Sequence, residues 1–221
     1  MTQFDFGRWL NFMSERATDI LNLVLQHIGV VAISLAIATV IGVGVGMLVW
    51  NKPMSRSVVI SAAAVALTIP SLALLAVLIR PFGLGWNPTI IALVVYSLLP
   101  IVRNTVVGLR EVPDAVMESA KGMGMGKTRV LVSVQLPLAW PIILTGVRIA
   151  AQLTIGIAAI AAYVAGPGLG QYIFQGLSSL GSVNALNYAL TGTVLVVILA
   201  LLVDGAFVLI TRYSTSRGIR A

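Results

Sequence analysis

The sequence predicts an all-α integral membrane protein, with about five transmembrane helices preceded by an N-terminal interfacial helix. Three observations lead there. Of the 221 residues, 58% are hydrophobic and only 10% charged, where soluble domains carry about 25% charged residues. The mean hydropathy is +1.01. The apolar residues also form continuous runs near the ~20 residues that cross a hydrocarbon core, not the short alternating segments of a β-barrel.

Residues 1–27 mix charges throughout and lack the basic start and apolar centre of a cleavable leader. Within them Trp9, Met13, Ala17, Ile20, Leu21 and Val24 recur at helical spacing. This spacing predicts an amphipathic helix at the membrane surface; the alternative is an extension of the first span. Five spans follow at roughly 28–50, 58–79, 88–109, 138–164 and 186–210, forming one transmembrane domain over 28–210. A basic tail, 211–221, closes the chain. Trp50, Trp86 and Trp140 fall near span ends, where amphipathic rings prefer to sit.

Charge sets the orientation. Lys52, Arg56, Arg103, Arg110, Lys121, Lys127, Arg129, Arg212, Arg217 and Arg220 flank one side, against Arg8, Arg16 and Arg80 on the other. The positive-inside rule then places the N-terminus outside and the C-terminus in the cytoplasm. The net charge of +7 records this bias rather than a nucleic-acid partner. With no cysteine, disulfides and cysteine-based metal sites are excluded, and a single histidine, His27, makes a histidine metal cluster or a Ser-His-Asp triad implausible.

Inside the spans three features stand out. Ala38, Gly42 and Gly46 repeat every four residues and predict close approach of another helix. Pro70, Pro100 and Pro141 each free the carbonyl four residues earlier, at Ala66, Tyr96 and Pro137. In lipid such carbonyls need helices or a water-filled path beside them. Arg148 and Asp204 are isolated charges about 16 Å and about 12 Å of helix rise from the basic side. At such depth they are expected to pair or share a polar pocket, as a bracket between helices or as part of a transport path.

The connection 110–136 is too long for a turn. Its stretch ESAKGMGMGKT ends like a phosphate loop, but the first glycine of that motif would fall on Lys121, and GxGxxG fails at Lys127. The glycines instead predict a bend: a two-turn helix from Asp114 to Lys121, a left-handed exit at Gly122 or Gly124, then a helical piece over 127–135 before Pro137 opens the next span.

Glu118-x-Ala120, Gly124 four positions on, and Val134-x-Leu136-Pro137 resemble the EAA loop of ABC importer permeases, with Ser119 where that loop has its first alanine. Thr68-Ile69-Pro70-Ser71-Leu72-Ala73-Leu74-Leu75, Leu98-Leu99-Pro100-Ile101-Val102-Arg103-Asn104-Thr105 and Gly166-Pro167-Gly168-Leu169-Gly170 are similar to permeases of osmoprotectant importers, which carry glycine betaine, choline or carnitine. The resemblance covers roughly 28–210. It implies a methionine-importer-like permease fold in a bacterial inner membrane, without ATPase chemistry of its own. It further implies a second permease subunit, two ATP-binding cassette ATPases that hold the ATP and magnesium, and an extracytoplasmic binding protein. This chain itself is expected to bind no cofactor. Glu118, Ala120, Gly124, Leu136 and Pro137 then belong to the element that docks on the ATPase. Thr68, Pro70, Ser71, Tyr96 and Asn104 are the expected path residues. The aromatics of the spans, Tyr96, Trp140, Tyr163, Tyr188 and Phe207, show no evident cage for a quaternary ammonium group. A permease for an amino acid, an ATP-independent channel or secondary transporter, and a plain membrane anchor remain as rivals.

Overall fold

The computed structural model describes residues 5–214, and no strand occurs among them. Ten α-helices follow one another. α1 (Phe6–Glu15) is a short helix capped by Asp5, whose carboxylate accepts from the backbone N–H groups of Gly7 at 2.9 Å and Arg8 at 3.2 Å. α2 (Ala17–Val49) is the first long apolar helix. The chain breaks only at Arg16, so α2 opens well inside the segment 1–27 read from the sequence as interfacial. Leu23 and His27 are buried, so this stretch is packed as part of the first long helix. Residues 1–4 of that segment, and most of the tail 211–221, lie outside the described residues.

α3 (Pro53–Thr68) and α4 (Ser71–Phe82) replace the continuous span expected over 58–79; the two are bent by 96°. Ile69 is extended (φ −65°, ψ 126°), as a residue before proline prefers, and Pro70 starts the second piece. α5 (Trp86–Arg110) runs unbroken through Pro100 and buries a broad face. The helical elbow comprises α6 (Asp114–Gly122) and α7 (Lys127–Val130).

From α7 the helix continues without interruption to Val164, through a π-turn (Leu131–Gln135) and α8 (Leu136–Ala161). Pro137 therefore does not open the span; it sits inside one continuous helix. The physical reason is the π-turn, in which the Leu136 N–H donates to the carbonyl of Leu131. Its wider winding makes room for a ring that would press on the carbonyl four residues back in a regular helix. α9 (Gly170–Ser178) is short, and α10 (Ala185–Ser214) is the last long helix. Four helices are long and apolar enough to cross a membrane, five if the bent pair forms one span.

The centre is α5, clasped between α2 and α8. Its closeness depends on glycine. A methyl group on Gly42 would sit 2.7 Å from Ile101, and one on Gly46 would sit 2.6 Å from Thr105. On the other side a Cβ at Gly146 would fall 2.6 Å from both the carbonyl of Pro100 and the Cβ of Asn104. These contacts leave no room for a side chain, so α5 is gripped at backbone distance.

Candidate functional site

Two regions combine polar chemistry with exposure. At one end, α6 stands out from the bundle with Asp114 in its first turn and Lys121 in its last, both matching the helix dipole. It closes as a Schellman motif: the Gly124 N–H donates to Lys121 O at 2.9 Å, and the Met125 N–H to Ala120 O at 3.2 Å. Gly124 has φ +79°, and a methyl group placed on it would meet nothing within 4 Å. Glycine is needed there for its backbone, not for space.

Of the five residues assigned to this element from the sequence, Glu118, Gly124 and Pro137 are exposed or half-buried and Leu136 is half-buried, while Ala120 is only 1% exposed. Ala120 packs inward and holds α6 onto its own chain. The outer surface of this element is therefore Glu118 and the glycine bend, with Ala120 beneath it. A cavity of about 640 Å³ lies between α6 and the end of α2, with Trp50, Lys52, Met117, Lys121 and Gln135 in its wall.

The second region lies midway along α8 and α10. Arg148 Nε donates to Asp204 Oδ1 and its second nitrogen to Oδ2, both at 2.6 Å, a bidentate fork. The Gln152 amide also donates to Asp204. Gln152 escaped the sequence reading, although it stands one helical turn after Arg148 and the spacing alone marks it as a neighbour. Behind the pair is the apolar cluster of Ala38, Ile101, Val147 and Ala150.

Of the expected path residues, Thr68, Pro70, Ser71 and Tyr96 meet at the α3–α4 break, and Asn104 lies further along α5. Tyr96 is 2% exposed, and its hydroxyl donates at 2.7 Å to the carbonyl of Ile69 at the α3–α4 break. Asn104 donates from Nδ2 at 2.8 Å to the carbonyl of Pro100 itself, rather than to the one freed at Tyr96. Thr68 lies beside the break with its hydroxyl on Val65 O at 2.7 Å. Pro70 is exposed and Ser71 half-buried at the break. Ala66, whose carbonyl Pro70 leaves free, accepts from the N–H of Ile69 at 3.3 Å.

At the end opposite the elbow, the turn 166–170 folds against α2. A Cβ at Gly168 would lie 2.8 Å from His27 Nδ1, and one at Gly170 would overlap the backbone of Ala159. Nearby, Tyr188 meets Phe12 edge-on with centroids 4.8 Å apart and Tyr172 at 5.1 Å. The Arg16 guanidinium lies 5.0 Å from the Phe12 and Tyr188 rings. This cluster joins α1 to α9 and α10, and the aromatics of the spans alone did not disclose it. Burial first, and then the charge of Asp19, push the Tyr172 phenol up, so it stays neutral. No cluster of three or more His, Cys, Asp or Glu side chains that could hold a metal occurs among the described residues.

A polytopic helical bundle with a protruding helical elbow and polar groups at mid-span has the form of a transport subunit. The chain belongs to the family described as binding-protein-dependent transport system inner membrane component, whose model matches residues 38–213. It is 35% identical over 211 residues to the carnitine transport permease protein OpuCB of Listeria monocytogenes, covering 96% of this chain and 95% of that protein. It is 34% identical over 214 residues to the glycine betaine/carnitine/choline transport system permease protein OpuCB of Bacillus subtilis, covering 97% of each. In structure it is similar to an inward-facing form of the MetNI methionine ABC transporter, with TM-score 0.78 and 25% identity over 89% of this chain and 96% of that one. The methionine-importer-like permease fold and the multi-pass inner-membrane class expected from the sequence are thus met.

Proposed function

We propose that this chain is the transmembrane permease subunit of an ATP-driven, binding-protein-dependent importer of quaternary ammonium osmoprotectants such as glycine betaine. The observation that carries this reading is the elbow: an exposed helix ended by a left-handed glycine and followed directly by the long helix that holds the mid-membrane ion pair. The substrates for which the relatives are named, carnitine, choline and glycine betaine, supply the chemical class.

In this reading two permease subunits form the path, and two cytoplasmic ATPases hold ATP and magnesium. An extracytoplasmic binding protein delivers the solute. The N-terminus is outside and the C-terminus cytoplasmic, so the elbow faces the ATPases. Glu118 and the Gly124 bend beside it are the surface offered to the ATPase groove. Because Lys127–Val164 is one continuous helix, a displacement of the elbow is carried along it to Arg148 and to the turn 166–170. The π-turn is where that rod is least regular, so it is the natural place for it to flex.

The test is radiolabelled glycine betaine uptake into proteoliposomes holding this chain, its ATPase, any second permease and the binding protein. Uptake that requires both ATP and the binding protein is expected. Hydrolysis without betaine uptake would keep an importer but move its substrate toward another solute, an amino acid included. Equal uptake without ATP would overturn the reading.

A further inference from the structure

The Arg148–Asp204 pair is not enclosed. The two side chains are 38% and 28% exposed, although both belong to helices apolar enough to cross a membrane. Hydrocarbon does not solvate such a pair, so charges within spans face protein or water. The surroundings favour water. On α8 the open face beside Arg148 carries Thr145, Gln152 and Gly156 together with Ile149 and Leu153, all exposed. Nothing lies within 4 Å of a Cβ placed on Gly156 or on Gly205 of α10, so the pair can be approached from outside. Away from Asp204, α10 exposes Leu202 and Leu209, a surface suited to lipid.

The geometry points to Arg148, Gln152 and Asp204 as a water-facing subsite that takes a small zwitterion, its carboxylate on Arg148 and its cationic end beside Asp204. The chemistry of the fork carries this assignment. A substrate carboxylate can take the bidentate place of Asp204 on the guanidinium, while Asp204, released, faces the positive end of the same molecule. One ion pair becomes two, and no charge is left alone in a low-dielectric span. A cation without a carboxylate would leave Arg148 unpaired. The Gln152 amide keeps a donor on whichever carboxylate is present. This deepens the importer reading and rests on it, narrowing the substrate class from quaternary ammonium compounds in general to zwitterions.

The chain has no cysteine, so single cysteines report cleanly. Thr145→Cys and Gly156→Cys flank the pair, and Leu202→Cys, on the other side of α10, serves as the lipid-facing control. The complete assembly in proteoliposomes is treated with a charged, water-soluble methanethiosulfonate, alone or with glycine betaine, carnitine, methionine, choline or acetate. Expected are labelling at 145 and 156 but not 202, and severalfold slowing by zwitterions but not by choline or acetate. Absence of labelling at both positions would overturn the subsite and assign the face to subunit contact. Labelling that no zwitterion slows, or that choline slows equally, would also overturn it. ATP-dependent uptake by the unaltered assembly is measured in parallel, so that intact uptake with unprotected cysteines sinks the subsite alone.

Discussion

Pro70 and Pro100 present the same chemistry with opposite outcomes. Each removes a donor from a membrane helix and crowds the carbonyl four residues earlier. At Pro70 the helix stops, Ile69 turns extended, and α4 leaves at 96°. At Pro100 the helix runs on. The difference lies in what surrounds them. α3 has no buried residue and α4 only Leu75, so nothing holds the two in line. α5 is gripped from both sides, and Gly146 presses against the carbonyl of Pro100 while Asn104 donates to it. Packing, not proline, decides between a break and a continuous helix.

The largest effect on this comparison is expected at Gly146. Gly146→Val drives methyl groups into Asn104 and the Pro100 carbonyl, where even Cβ would sit at 2.6 Å. Overpacking of this kind costs about 1–3 kcal/mol or more, and thermal unfolding in detergent should fall accordingly; an unchanged midpoint would show that α5 is not gripped. Tyr96→Phe comes next. It leaves the Ile69 carbonyl without its 2.7 Å donor, a part-buried bond whose loss costs about 1–1.5 kcal/mol. Hydrogen exchange should rise at the α3–α4 junction and not in the middle of α5. Asn104→Leu should be mildest, about 1 kcal/mol, because the Pro100 carbonyl stays covered by Gly146. If it proves worse than Tyr96→Phe, side-chain capping rather than packing keeps α5 continuous.

The same contrast explains what was legible in the sequence. The elbow was readable because Gly124 answers a backbone demand local to a few residues, and its φ of +79° is what the bend requires. The ion pair was readable because charge in an apolar run has few places to go. The small stripe of α2 was readable for a similar reason: only contact explains glycine every fourth residue. Helix lengths were not readable. Hydropathy marks the hydrocarbon-crossing part, whereas α2 begins at Ala17 and the third long helix at Lys127, both in polar stretches that tertiary contacts keep helical. Nor could the sequence say that Ala120 turns inward or that Tyr96 serves the break. Those depend on which face of a helix meets a neighbour.

The proposed coupling of ATP hydrolysis to movement of the bundle through the elbow is tested most directly by comparing Gly124→Asn with Gly124→Asp. Hydrolysis and uptake are measured together in the reconstituted assembly. Both residues have nearly the same shape and tolerate the left-handed backbone better than other side chains, so they differ in charge at the proposed docking surface. Near-normal uptake per ATP is expected for Asn. For Asp, hydrolysis should continue while uptake is lost, with membrane insertion intact. Equal and normal coupling in both variants would contradict a docking role for the elbow.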